Sequence, residues 1–187
     1  QTPVDMSGLL RQAGFTPFDT VIALSATLKI GTSFSYWLGR VGLHSFSDKP
    51  VRTGTFESPF PYDKNVLLNI PTDAPAPDDE QFQQFVNTAV TKLIEMTGGK
   101  TLVLFTSYES LKQTCAHARK QLPDMELLQQ GEDDRSRLLQ TFKEHIDSSL
   151  FATASFWAGI DVPGEALSHV ILVKLPFAVP SAPLFRA

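Results

Sequence analysis

The chain carries one cysteine, Cys115, in 187 residues. That excludes an internal disulfide, and it excludes an iron–sulfur cluster held by four thiolates within this stretch. Its four histidines, His44, His117, His145 and His169, are scattered without the spacing of a metal-ligand set. Cys115 and His117 form a short pair on a helix flank and read as structural. An excess of basic residues is also lacking. The net charge is −4, so any nucleic-acid contact must be local, made along a groove rather than through a general positive field. No apolar run approaches the roughly 20 residues of a membrane span, and no signal peptide stands at the start. These features suit a cytoplasmic protein with no membrane partner.

What is present is the patterning of an ordinary globular α/β protein, 42% hydrophobic and 19% charged, long enough for one or two domains. Asp5 or Ser7 is placed to cap a short helix through Leu10 and Gln12. Residues 20–24 read as a buried strand running into Ser25, Ala26 and Thr27. Over residues 32–43, Phe34, Trp37, Leu38 and Val41 recur at helical spacing, a packing stripe rather than a base-stacking platform. Residues 44–65 are polar and proline-containing, and their Phe56, Phe60 and Tyr62 could stack on bases or pin the loop to the body; pinning is the favoured reading.

From residue 66 strands alternate with helices, which predicts a mainly parallel sheet covered on both faces. Residues 66–70 are a strand candidate. Asp78 and Gln81 have capping-box spacing ahead of a helix over 79–96, with Phe82, Phe85, Val86, Ala89, Val90, Leu93 and Ile94 in one stripe and Gly98 and Gly99 as a left-handed end. TLVLF at 101–105 is an unbroken apolar strand. It delivers Thr106 and Ser107 to a helix start where Thr106 and Glu109 again have capping-box spacing. That helix carries Leu111, Cys115, Ala118 and Leu122 and stops at Pro123. A short strand at 125–128 follows. Glu132, Asp133 and Asp134 then precede a helix over 135–146 striped by Leu138, Leu139, Phe142 and Ile146. Three adjacent carboxylates at that place complement a helix dipole more readily than they bind a metal.

Residues 150–164, LFATASFWAGIDVPG, organise the rest. A short apolar strand gives way to small and hydroxyl residues, then to Gly159, Asp161, Pro163 and Gly164, before the apolar strand at 169–175. Ligands of open α/β sheets bind at the carboxyl ends of the strands. There Gly159 allows close backbone approach to a phosphate or ribose, Asp161 accepts hydrogen bonds, and Thr153 and Ser155 donate them.

This stretch, SFWxGxDVPG followed by VILVKLPF, resembles motif V of superfamily 2 helicases, and specifically the DinG branch of the XPD-like DNA helicases. LSATL at 24–28 resembles motif III, and TLVLFTSYESL at 101–111 resembles motif IV, with FESPFPY at 56–62 between them in the family's order. The resemblance implies a RecA-like (P-loop NTPase-type) lobe. It divides the chain into residues 1–43 as the end of a first motor lobe, 44–65 as the connection and 66–187 as the second lobe, truncated before motif VI. It further implies ATP with Mg2+ in the full-length protein, and two partners, single-stranded DNA and the N-terminal motor lobe of the same chain. On the matching positions, Thr106, Ser107 and Thr153 would contact phosphates of the translocated strand, Gly159 and Asp161 would face ATP, and Ser25 and Thr27 would couple the two events. Lys174 either meets a phosphate or snorkels from a strand end.

Two departures bear on activity. The family's glutamate before Gly159 is replaced by Ala158. The chain also has no GxxxxGK[ST], no DEAH-type box and no QxxGRxxR, and Arg186 does not stand in such a motif. The expectation is a fragment of an ATP-dependent DNA helicase, inactive as an ATPase or unwinding enzyme alone. The alternatives are a non-catalytic RecA-like module that binds nucleic acid or protein, and an unrelated α/β enzyme with a crevice site.

Overall fold

The computed structural model describes residues 5–44, 49–157 and 159–177. The described residues up to Leu68 form one compact unit and those from Asn69 onward a second.

In the first unit, the Asp5 carboxylate accepts the Ser7 amide hydrogen at 2.9 Å. This opens helix α1 (Ser7–Leu10), which runs on as a π-helical turn, Arg11–Phe15. Helix α2 (Ser35–Arg40) half-buries Trp37 and Leu38, flanked by half-buried Phe34 and Val41, as the helical spacing predicts. Phe15 stands edge-on to Trp37 with ring centroids 6.5 Å apart, and Leu43 is buried. Helix α3 (Tyr62–Asn65) is a single turn. Phe56 is 89% exposed, and Phe60 and Tyr62 are exposed too, touching each other at 6.0 Å. They do not pin the loop, contrary to expectation, because no buried cluster of the unit includes them.

Two expected strands do not form. Residues 20–24 and 66–70 pair with no described residue, and Ile22, Leu24 and Leu67 are 78%, 82% and 87% exposed. A strand exists only where a neighbour takes its backbone N–H and C=O groups. An apolar run signals that a segment suits a sheet, and says nothing of whether the sheet is at hand.

The second unit is the α/β layer structure the alternation predicts. Helix α4 (Phe82–Thr97) is followed by β1 (Thr101–Leu104), α5 (Tyr108–Gln121), β2 (Leu127–Gln129), α6 (Arg135–Glu144), β3 (Ser149–Ala152), a 3-10 turn at Ala154–Phe156, and β4 (His169–Leu172). The strands lie in the order β2-β3-β1-β4 and every pairing is parallel, the sheet expected of a RecA-like lobe.

Successive strand residues point to opposite faces, and the two cores divide accordingly. Val103, Phe105 and Phe151 pack with Val86, Val90 and Ile94 of α4 and with Leu111, Cys115 and Ala118 of α5. Leu102, Leu104, Leu150 and Ala152 face the other way, onto Leu138 and Phe142 of α6 and onto Phe156. Burying each large apolar side chain contributes about 1.5–3 kcal/mol, so the central strands β1 and β3, buried throughout, anchor the unit. The seam of α4 runs through Phe82, Val86, Val90 and Ile94, and Leu93, expected within it, is exposed on the flank. Ile146 is exposed because it lies beyond the end of α6.

The helix ends also differ in detail from the expected caps. Asp79, not Asp78, accepts the Gln81 amide hydrogen at 2.8 Å. At α5 the N-cap is Ser107, whose hydroxyl accepts from Ser110 N–H at 3.4 Å. The Phe105 N–H still pairs with the Ala152 carbonyl at 2.9 Å, so the chain stays extended one residue longer than the spacing of Thr106 and Glu109 suggests. Gly98 takes the left-handed conformation that ends α4, as expected.

Candidate functional site at the carboxyl edge of the sheet

Parallel pairing sets Leu104, Ala152 and Leu172 in register. The segments that follow β1, β3 and β4, and Gln130 after β2, therefore leave the sheet at one edge. Thr106 and Ser107 leave β1, Thr153 and Ser155 leave β3, and Lys174 stands exposed two residues past β4. Ser25 and Thr27 belong to the first unit, where their hydroxyl oxygens lie 3.2 Å apart and Ser25 Oγ accepts the Thr27 N–H.

Gln130 joins three of these segments. Its backbone N–H donates to the Phe151 carbonyl at 2.9 Å, which holds it beside β3. Its own carbonyl accepts the Tyr108 hydroxyl at 2.8 Å, at the start of α5 next to Ser107. Its side-chain Oε1 accepts both the Thr153 N–H at 2.7 Å and the Thr153 hydroxyl at 3.0 Å. Its Nε2 donates to Ser155 Oγ at 3.3 Å. Gly131 makes the Tyr108 contact possible: it has φ +96°, and a Cβ there would fall 2.0 Å from the tyrosine oxygen.

A second group forms around the loop after β3. Gly159 has φ +71°, a conformation that L side chains rarely adopt. Its carbonyl accepts a hydrogen bond from Arg135 Nη2 at 3.3 Å, and the Arg135 guanidinium also lies 5.2 Å from the centre of the buried Phe156 ring. Asp161 is exposed further along the same loop. Ala158 lies outside the described residues.

The acidic turn before α6 is accounted for by basic partners and backbone. Arg119 donates to both carboxylate oxygens of Glu132, at 2.7 and 2.6 Å, and to the Leu127 carbonyl at 2.8 Å. Those hydrogen bonds hold the Glu132 carboxyl below the usual glutamate range and raise Arg119 above its ordinary value. Asp134 is the N-cap of α6, accepting from the Ser136 and Arg137 amides at 2.9 and 3.0 Å, while Arg137 approaches Asp133 and Asp134 at 3.6 and 3.4 Å.

Sequence reasoning found Thr106, Ser107, Thr153, Lys174, Gly159 and Asp161, which all fall at this edge. It passed over Gln130, Tyr108 and Arg135. The contacts of Gln130 with Thr153 and of Arg135 with Gly159 span 23 and 24 residues, so no local pattern carries them. The one local signal was a Gln-Gly pair directly after a strand.

Residues 90–187 match the family model described as the helicase C-terminal domain. Similar curated proteins include the ATP-dependent DNA helicase YoaA of Haemophilus influenzae, 35% identical over 89% of this chain and 25% of that protein. The 3'-5' exonuclease DinG of Bacillus subtilis is 33% identical over 99% of this chain and 20% of its own length. The ATP-dependent helicase DinG of Mycobacterium tuberculosis is 36% identical over 99% of this chain and 27% of its own length. The chain thus spans a fifth to about a quarter of the length of these relatives. With a parallel sheet that gathers the motif residues at its carboxyl edge and a family match over more than half its length, this chain belongs to the helicase C-terminal domain family.

Proposed function

We propose that the chain is part of an ATP-dependent DNA helicase and supplies its second motor lobe, with residues 1–43 closing the first lobe and 44–65 connecting the two. The carrying observation is that the candidate DNA residues and the candidate nucleotide loop leave one edge of one sheet. In this reading Thr106, Ser107, Thr153 and Lys174 line the path of a single strand, and Gly159 and Asp161 meet ATP bound against the N-terminal motor lobe. Phosphoryl transfer depends mostly on positioning and electrostatics, so a site shared between lobes links hydrolysis to their opening and closing. Ser25 and Thr27 transmit that link. Among the described residues no group of three His, Cys, Asp or Glu is gathered as metal ligands. In this reading Mg2+ accompanies the nucleotide phosphates in the full-length protein. The cytoplasm is the proposed location.

The test is DNA-stimulated ATP hydrolysis and single-strand binding by the full-length protein, followed by fluorescence anisotropy across a salt series. Binding that weakens as salt rises, and weakens further in Thr106→Ala, is the expected result, because phosphate contacts release counterions. Absence of hydrolysis with DNA binding retained favours the second reading, a non-catalytic RecA-like binding module, which Ala158 in place of the family's glutamate supports.

A further inference from the structure

The geometry points to Ser155, held by Gln130, as the hydroxyl at the end of β3 that donates to a phosphate of the bound strand, with Gln130 its positioning residue. This rests on the DNA path proposed above and decides which group at that point makes the contact.

A phosphate oxygen only accepts hydrogen bonds, so a hydroxyl that binds it must have a free proton. Thr153 does not offer one: its N–H and its hydroxyl both donate to Gln130 Oε1, at 2.7 and 3.0 Å. These two donors also fix which end of the Gln130 amide is which, since a backbone N–H can face only the oxygen. The amide nitrogen is thereby turned to Ser155, whose Oγ accepts from it at 3.3 Å. That bond uses one lone pair of the Ser155 hydroxyl and leaves its proton available to donate, and the residue is exposed. The Gln130 amide nitrogen carries a second proton, an additional donor beside Ser155. Gln130 is in turn fixed through its backbone, its N–H donating to the Phe151 carbonyl at 2.9 Å and its carbonyl accepting from the Tyr108 hydroxyl at 2.8 Å. The Tyr108 bond ties this donor pair to the segment that carries Thr106 and Ser107, so the two stretches meet the strand with a set spacing.

The experiment uses the full-length protein and a labelled single-stranded oligonucleotide. Anisotropy gives the dissociation constant, and DNA-stimulated hydrolysis gives the DNA concentration at half-maximal rate and the rate at saturating DNA. Ser155→Ala is expected to weaken DNA binding roughly tenfold, as the loss of a hydrogen bond to a charged group does, and Ser155→Thr to restore it. Gln130→Glu keeps an acceptor for Thr153 but captures the Ser155 proton and adds negative charge. It is expected to weaken binding at least as much, raising the half-maximal DNA concentration while the rate at saturating DNA holds. Thr153→Val is expected to cost less than Ser155→Ala. Ser155→Ala binding as tightly as the parent, or Thr153→Val costing more than Ser155→Ala, overturns the assignment. Thermal melting of each variant separates loss of fold from loss of contact, and Ser155→Ala, at an exposed position, keeps the test informative if Gln130→Glu unfolds. A parent protein that shows no salt-dependent DNA binding overturns the underlying DNA path instead.

Discussion

Arg135, at the first position of α6, donates to the carbonyl of Gly159 at 3.3 Å while its guanidinium lies against the Phe156 ring. One side chain thus fastens the loop after β3 at two points.

Arg135→Ala is therefore expected to loosen that loop. A lost hydrogen bond and a lost cation–π contact amount to about 1–2 kcal/mol, or roughly five- to thirtyfold in the ATP concentration at half-maximal rate. Arg135→Lys keeps the charge but lacks the planar fork, and should recover only part of the loss. Steady-state hydrolysis by the full-length protein at varied ATP measures both; an unchanged half-saturation in Arg135→Ala would refute the clamp.

Gly98 and Gly99 both have positive φ, but they differ in surroundings. An ideal Cβ at Gly98 meets nothing within 4 Å, whereas one at Gly99 falls 2.0 Å from the Asp147 carbonyl oxygen. Gly98→Ala should cost about 1–2 kcal/mol from the left-handed backbone alone. Gly99→Ala should add about 1–3 kcal/mol of overpacking against a backbone atom that has no rotamer to yield. Denaturant unfolding of the two variants should rank them in that order.

Glu132 gives the unit a specific acid sensitivity. Its folded carboxyl lies below the ordinary glutamate value of 4.5, chiefly through the hydrogen bonds from Arg119. The unfolded chain takes up the proton first as pH falls, so the contribution is complete above the ordinary value and is lost as pH falls through the lower folded value. Both side chains are about 40% exposed or more, so screening by water keeps the pair at about 1 kcal/mol or less. Glu132→Gln should shift the denaturation midpoint at neutral pH and not below the folded titration; equal shifts at both would exclude the pair as the source.

Burial pushes the Cys115 thiol up to about 11, and its side chain is fully enclosed between α4, α5 and the sheet. A thiol-alkylating reagent at pH 8 should leave it unmodified in the native protein and label it on unfolding, since the thiolate is the reactive form. Mass spectrometry after timed exposure checks this, and fast labelling without denaturant would contradict the enclosure.

Most of the second unit was legible because its signals are local. The run 101–105, the α4 stripe and the Gly98 end are each complete within a few residues, and the structure repeats them. The exposed runs at 20–24 and 66–70 were misread for the opposite reason: strand formation is decided by a partner, and apolar composition specifies only the need for one. The same distinction applies at the edge of the sheet. Thr106, Ser107, Thr153, Gly159 and Asp161 could be found from motif order, but the link from Gln130 to Thr153 depends on β2 pairing β3 with Gln129 opposite Phe151, a register that no short stretch encodes.

The sheet order has a consequence for how the second unit is made. Thr101 pairs with Ser149 and with His169, and Leu127 with Ser149, so no pairing joins strands that are adjacent through a tight turn. Among the described residues of this unit no hairpin is available as a nucleus, and every ladder must wait for closure of a long intervening segment before its hydrogen bonds and burial repay the lost chain entropy. Helices α4 and α5, formed from local contacts, have to gather the strands. Until β1 is enclosed by β3 and β4, the run 101–105 is an unpaired apolar strand, and that interval is when a newly made chain is most open to association with its copies.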